Sequence, residues 1–99
     1  MRLAFEDDNL RRLYEQRDFV LPRFGSDVTK AFRKKVGFLA QAESEADLRN
    51  YKALHFEKLK GRRAGQYSIR LNHRWRLILR IEVDTEGQLL LVVEIIDYH

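Results

Sequence analysis

The chain has 99 residues, 44% of them hydrophobic, and this length and composition fit one globular domain over residues 1–99. The absence of cysteine excludes disulfides, thiolate zinc sites and a cysteine nucleophile. The longest apolar run, Leu89 to Val93, is far shorter than the roughly 20 residues of a transmembrane helix. Because the N-terminus shows no signal-peptide pattern either, we expect a cytoplasmic protein that does not contact a membrane.

Charge is segregated along the chain. The net charge of +4 conceals a block at residues 49–80 that holds ten basic side chains and a single acidic one. The segment before it is neutral, and residues 81–99 carry a net charge of −5. Such a block repels itself unless an anion compensates it, and the phosphates of a nucleic acid are the obvious anion. Charge alone leaves a second interpretation open, an ordinary solvated surface balanced in space by the acidic segment.

The N-terminal half predicts a short strand and two helices. Residues 3–5 alternate as in a strand, and Asp7 or Asp8 then caps a first helix. Ser26 and Asp27 supply a hydroxyl cap and an acidic first turn for a second helix. The apolar positions of these helices are Leu10, Leu13 and Tyr14 in the first, and Val28, Ala31, Phe32, Val36, Leu39 and Ala40 in the second.

The C-terminal half predicts β-structure. After a polar segment at 42–50, which is a short helical turn or a loop, alternating side chains predict strands at 67–71, 74–81 and 88–96. The turns that join these strands fall at Asn72–His73 and Asp84–Gly87. The fold class is therefore α+β, with a short N-terminal strand and two helices packed on one face of a C-terminal antiparallel sheet.

The face of the predicted sheet away from the helices is rich in arginine. Residues two apart on a strand share a face, so Arg74 and Arg76 are expected ~7 Å apart. The full set on this face is Arg70, Arg74, Arg76 and Arg80. Several guanidinium groups on one surface favour an anionic partner, but surface salt bridges are an alternative. The acids that could form them are Glu82, Glu94 and Asp97.

The sequence offers few residues for chemistry. It has neither a phosphate-binding glycine loop nor a nucleophile elbow, and its histidines, His55, His73 and His99, lack the spacing of metal ligands. What remains is the ending Asp97-Tyr98-His99, which follows an apolar strand. Histidine titrates near neutral pH, aspartate can orient it, and tyrosine can donate or relay a proton. These three are candidate catalytic residues, and no metal or other cofactor is expected.

Several separated motifs resemble one family. The segment Leu59–Asn72, the pair Trp75–Arg76 and the ending Glu94–His99 together resemble the HigB-like toxins of bacterial toxin–antitoxin pairs, within the RelE/ParE superfamily. The resemblance implies a RelE-like fold and a ribosome-dependent mRNA endoribonuclease, in which a 2′-hydroxyl attacks the scissile phosphate without a metal. It also implies binding to mRNA, to the ribosomal A site with its 16S rRNA, and to a helix-turn-helix antitoxin, through which alone operator DNA is contacted.

The same resemblance implies a role for each site residue. His99 would act as general acid or base, Tyr98 as a stacking platform or proton relay, and Asp97 as the group that orients the imidazole. Lys60 and Arg76 would stabilise charge on the phosphate. The basic residues expected to bind RNA are Lys58, Arg62, Arg63, Arg70, Arg74 and Arg80.

One position departs from the family pattern. Some members carry an active-site histidine two residues before the Leu-Lys-Gly motif, where this chain has Glu57. His55 would lie on the same face of a strand, ~7 Å away. Either Glu57 takes the role, His55 reaches into the site, or activity is reduced. Two other functions also stay open: a ParE-type toxin acting on DNA gyrase, against which the Asp97–His99 ending argues, and a non-catalytic module that binds RNA or an antitoxin.

Overall fold

The computed structural model describes residues 1–98, and these form three α-helices and five strands. The helices are α1 (Asp8–Glu15), α2 (Gly25–Gln41) and α3 (Glu45–Asn50). The strands are β1 (Arg2–Phe5), β2 (Glu57–Lys58), β3 (Tyr67–Arg70), β4 (Trp75–Asp84) and β5 (Gly87–Asp97), with short 3-10 turns at Pro22–Phe24, Lys52–Leu54 and Gly61–Arg63. No helix in this part of the chain is long and apolar enough to cross a membrane.

Within these residues the strands form one sheet, in the order β1-β5-β4-β3-β2. The pairs β3–β4 and β4–β5 are antiparallel, as predicted, and the short β2 also pairs antiparallel with β3. In contrast, β1 runs parallel to β5, with Leu3 opposite Leu90. The α+β prediction is confirmed, and the N-terminal strand makes the sheet mixed. β5 lies between β1 and β4, and its side chains belong to apolar clusters on both faces of the sheet, which explains its almost wholly apolar sequence. The amino group of Met1 donates to the carbonyl of Ala42 at 2.5 Å and fixes β1 beside the end of α2.

The two main helices begin differently. Asp7 caps α1 as predicted, because its Oδ1 accepts the backbone N–H of Asn9 at 2.8 Å. The predicted cap of α2 by Ser26 is wrong. Proline favours the first position of a helical turn, and the 3-10 turn that begins at Pro22 leads directly into α2 at the residue before Ser26. Asp27 still lies in the first turn, where its charge is stabilised by the helix dipole.

The core has two parts, one on each face of the sheet. The main part lies between the helices and the sheet and includes Phe32, Val36 and Leu39 of α2 with Leu77 and Leu79 of β4, all fully buried. A smaller cluster on the opposite face consists of Leu59, Ile78 and Val93. The segment that begins at residue 59 therefore covers part of the arginine-rich face and creates a concave surface there.

Candidate active site

An open groove of about 570 Å³ lies on the sheet face away from the helices, beside β2 and the end of β5. Its apolar lining is formed by Leu59 and Ile96. Its polar lining is formed by Glu57, Lys58, Lys60, Arg62, Arg63 and Tyr98. Half of the residues that the sequence singled out for catalysis or RNA binding thus share one concave surface, which combines four basic side chains with a carboxylate and an aromatic ring.

The loop that brings most of this positive charge to the groove is fixed at both ends. Leu59 anchors it in the smaller core cluster, and the Leu59 N–H donates to the carbonyl of Gln66 at 2.9 Å. Gly61 and Gly65 adopt φ angles of 65° and 88°. A left-handed conformation costs a residue with a side chain roughly 1–2 kcal/mol, so glycine is the residue that permits this tight reversal.

Arg76 connects the groove to the centre of the sheet. Its guanidinium carbon lies 4.7 Å from the centre of the Tyr98 ring, and its Nη1 lies 3.9 Å from Oε2 of Glu57. The side chain is only 13% exposed, and Nη1 is buried without a hydrogen-bond partner among residues 1–98. An unsatisfied buried donor costs about 1–3 kcal/mol, so an anion bound beside Arg76 would be strongly favoured.

Arg70 stands directly across the β3–β4 pair from Arg76. Like charges in this position destabilise a sheet. The Nε of Arg70 is buried and has no hydrogen-bond partner in the described part of the chain. The predicted juxtaposition of arginines on this face is therefore confirmed for Arg70 and Arg76.

Of the other two arginines of the predicted set, Arg80 shares the face of Arg76 and Ile78, as predicted, and Arg74 does not. Arg74 precedes β4, and its guanidinium packs 5.6 Å from the ring of Trp75, so the prediction that it shares a face with Arg76 is wrong. The reason is that Arg74 still belongs to the turn between β3 and β4, because β4 begins only at Trp75. Arg80 lies within β4, but its Nη2 donates to Glu82 at 2.9 Å.

Carboxylates pair with some of the basic residues and not with others. Arg63 contacts Glu94 at 3.4 Å, and Arg74 contacts Asp97 at 2.6 Å. The alternative that surface salt bridges compensate the positive charge is therefore right for part of the basic block at residues 49–80. Within residues 1–98, four of its residues near the groove form no ion pair: Lys58, Lys60, Arg62 and Arg70. These four keep their charge available for a ligand.

His55 does not occupy the position that the sequence predicted. It lies outside β2 and closes the 3-10 turn at Lys52–Leu54 in the left-handed conformation, with φ and ψ both 50°. The expectation that it shares a strand face with Glu57 is therefore wrong, because β2 begins only at Glu57. The nearby guanidinium of Arg70 lowers the pKa of His55, and burial, Arg76 and Lys35 lower it further.

The C-terminal candidates are fixed by the backbone as far as they are described. The Tyr98 N–H donates to the carbonyl of Arg74 at 2.7 Å, and its ring, 42% exposed, faces the groove. Asp97 pairs with Arg74. His99, the predicted general acid or base, lies outside the described residues.

His73 is exposed in a turn, and Trp75 packs edge-on against Phe24 in the main core, as expected of a core aromatic.

Solved structures of known toxins share this fold over the whole chain. The YoeB/ParE toxin from Agrobacterium tumefaciens has a TM-score of 0.57 at 19% identity, covering 100% of this chain and 99% of that one. The YoeB–YefM complex from Staphylococcus aureus has a TM-score of 0.52 at 24% identity, covering 100% and 97%. The fold is therefore that of the YoeB- and ParE-type toxins.

The sequence comparison narrows this class to one family. Residues 3–99 match the family described as RelE-like toxin of type II toxin-antitoxin system HigB. Toxin HigB-1 of Vibrio cholerae is 37% identical over 82 residues, which cover 81% of this chain and 83% of that protein. An uncharacterized protein of Haemophilus influenzae is 33% identical over 81 residues, covering 82% and 79%. The chain belongs to the HigB-like family and is the toxin of a type II toxin–antitoxin system.

Proposed function

We propose that this toxin is a ribosome-dependent endoribonuclease that cleaves translated mRNA in the groove beside β2. The observation that carries the proposal is the contact of Arg76 with both Glu57 and Tyr98 at the edge of a basic groove. A guanidinium can hold a phosphodiester, an aromatic ring can stack on a base, and a carboxylate can accept a proton. This combination fits RNA cleavage better than simple RNA binding, which needs no proton acceptor.

In the proposed reaction the 2′-oxygen attacks the adjacent phosphorus and the 5′-oxygen leaves. Glu57 accepts the proton of the 2′-hydroxyl, and His99 donates a proton to the leaving oxygen, so that a cyclic phosphate and a free 5′-hydroxyl result. Lys60 and Arg76 stabilise the negative charge that develops on the phosphoryl oxygens. Asp97 and Tyr98 position the imidazole and the adjacent base. These steps use no metal or cofactor.

The partners follow from the same surface. Lys58, Lys60 and Arg62, which form no ion pair within residues 1–98, bind the sugar–phosphate backbone of mRNA and of 16S rRNA in the ribosomal A site. The solved YoeB–YefM complex is a toxin–antitoxin complex with this fold, and we propose that a helix-turn-helix antitoxin likewise masks this toxin in the cytoplasm. Operator DNA would be contacted through that antitoxin only.

The test is cleavage in a purified translation system, with the 5′ ends of one translated and one untranslated message mapped. We expect in-frame cuts in the translated message alone, with a free hydroxyl at each new 5′ end. The Arg76→Ala variant is expected to lose this activity. Arg17→Ala removes the same charge from an exposed residue beyond α1 and is expected to retain it. Intact mRNA together with a supercoiling defect would instead identify a gyrase poison.

A further inference from the structure

A second cluster of positive charge lies where α2 meets the end of β3, next to the groove and outside its lining. Its centre is Lys35, whose Nζ donates to the carbonyls of Ala53 at 3.1 Å and Arg70 at 2.5 Å. These two bonds tie the turn before His55 to the end of β3. An ammonium group has three donors, and two of those of Lys35 have acceptors within residues 1–98, so the third can bind a ligand.

The charges of this cluster are poorly compensated by the protein. Neither Lys35 nor Arg70 forms an ion pair within the part of the chain that the structure describes. The neighbouring Arg76 has Glu57 at 3.9 Å. Buried nitrogens of both arginines lack hydrogen-bond partners there. Burial and then the charge of Arg70 lower the pKa of Lys35, so the cations of this cluster lie near enough to repel one another, and such a group favours the binding of an anion.

His55 borders the cluster in a strained conformation. A left-handed backbone costs a residue other than glycine free energy, and such strain concentrates at functional sites. The cluster also lowers the pKa of the imidazole, chiefly through Arg70. A neutral imidazole carries one N–H donor and one acceptor. His55 can therefore donate to an anion without adding further positive charge to a crowded site.

We propose that Lys35, His55 and Arg70 bind a phosphate of the RNA strand next to the phosphate that is cleaved. The inference rests on the proposed nuclease function. Glu57 pairs with Ser68 in the sheet, and Arg70 lies two residues further along β3, a displacement of ~7 Å. That displacement is comparable with one nucleotide step of an extended strand. The second phosphate would fix the register of the RNA in the groove.

The first experiment uses inorganic phosphate as the probe, and the NMR signals of the His55 ring report its binding. We expect a saturable shift in the wild type and about tenfold weaker binding in Lys35→Gln, as for the loss of one charged hydrogen bond. Lys35→Arg keeps the charge and is expected to bind. His55→Asn tolerates the left-handed backbone but lacks the ring signals, so the backbone amide signals of residues 52–56 report its phosphate binding, which is expected to be weak. Lys30→Gln makes the same change at an exposed position of α2 and is expected to bind normally.

The second experiment uses a single-stranded RNA with a 2′-deoxy sugar at the cut, so that binding is measured without cleavage. A plot of log affinity against log salt has a negative slope, and Lys35→Gln is expected to make it less steep by about one unit. Lys30→Gln is expected to leave the slope unchanged. The proposal is overturned if the two variants behave alike, or if Lys35→Gln weakens phosphate binding but not RNA binding. A wild type that binds both probes normally yet leaves translated mRNA intact would overturn the nuclease function and leave the phosphate site standing.

Discussion

One carboxylate oxygen of Asp97 is held by two nitrogens of Arg74. The Nε of Arg74 donates to Oδ2 at 2.8 Å, and Nη2 lies 2.6 Å from the same oxygen. This contact raises the pKa of the Arg74 guanidinium. Together with the hydrogen bond from the Tyr98 N–H to the Arg74 carbonyl, it fastens the end of β5 to the turn before β4. The pair therefore places Tyr98 at the groove and neutralises Arg74.

Arg74 is accordingly expected to contribute less to RNA binding than Arg62, which has no ion pair within residues 1–98 and lines the groove. Arg62→Gln is expected to make the fall of log affinity with log salt less steep by about one unit, the value for one lost phosphate contact. Arg74→Gln is expected to change it by clearly less. Binding of a short RNA at several salt concentrations measures both slopes. Equal slopes would show that RNA displaces Asp97 from Arg74.

Removal of Tyr98 and His99 is expected to abolish cleavage and leave the fold intact. Tyr98 is exposed at the surface of the groove, and the apolar part of β5 ends before it at Ile96, so the deletion removes little core. His99→Gln keeps hydrogen bonding but cannot transfer a proton, and general acid–base groups supply roughly 10²- to 10⁴-fold in rate. Cleavage of one translated mRNA measures the loss, with circular dichroism as the control for folding. Activity of the folded deletion variant would move the site to His55 and Glu57.

Arg76→Ala is expected to cost on the order of 3 kcal/mol of transition-state stabilisation, by analogy with the loss of one oxyanion donor. Ribosome binding should persist in part, because Lys58, Lys60 and Arg62 remain in the groove. The comparison of single-turnover cleavage with ribosome co-sedimentation separates the two effects. Arg17→Ala is the control of equal charge. Parallel loss of both properties would assign Arg76 to binding alone.

Glu57→Gln tests the proton acceptor, since it preserves the shape of the side chain but removes its basicity. We expect a loss of at least about 100-fold in the cleavage rate constant. RNA affinity is expected to rise slightly, because the change removes the negative charge from the groove. Single-turnover cleavage and binding of the 2′-deoxy RNA measure these quantities. If Glu57→Gln cleaves at the wild-type rate, Glu57 is not the proton acceptor, and its role is limited to the electrostatic contact with Arg76.

Acid is expected to remove a stabilising contact at the opposite end of the sheet. A hydrogen bond from Arg2 is the main cause that holds the pKa of Asp84 below 3.8. The ionised carboxylate is favoured in the folded state, so its contribution to stability is complete above the unfolded pKa and is lost as pH falls through the folded value. Asp84→Asn should lower Tm at neutral pH and match the wild type in strong acid. Asp18→Asn, an exposed control, should match it throughout, in thermal unfolding followed by circular dichroism.

Local signals in the sequence were sufficient for much of the fold. Asp7 identified the start of α1, and alternation of apolar and polar side chains identified β3 to β5. The parallel pairing of β1 with β5 could not be predicted, because it joins residues more than 80 positions apart and has no local pattern. The start of α2 was misplaced because the 3-10 turn at Pro22 already has helical geometry and displaces Ser26 as the cap.

The site was predictable in its residue types and less so in its geometry. The basic motif from residue 59 onward placed most of the groove correctly, because a fixed loop carries it. The left-handed turn at His55 and the position of Arg74 before β4 depend on tertiary contacts, so strand periodicity misplaced both. Lys35 was not singled out at all, since its spacing matches the solvated face of α2. Only the fold shows that its ammonium group donates to the carbonyls of Ala53 and Arg70.

The strand order has a consequence for the timing of activity. β5 follows the other four strands of the sheet in residues 1–98 and separates β1 from β4, so a chain that has been synthesised only as far as β4 cannot complete the sheet. Ile96 and Tyr98 also line the groove, which therefore does not exist on the unfinished chain. Chains fold from the N-terminus during synthesis, and pairing over such long separations is slow. The groove therefore forms only after β5 has been made and inserted between β1 and β4.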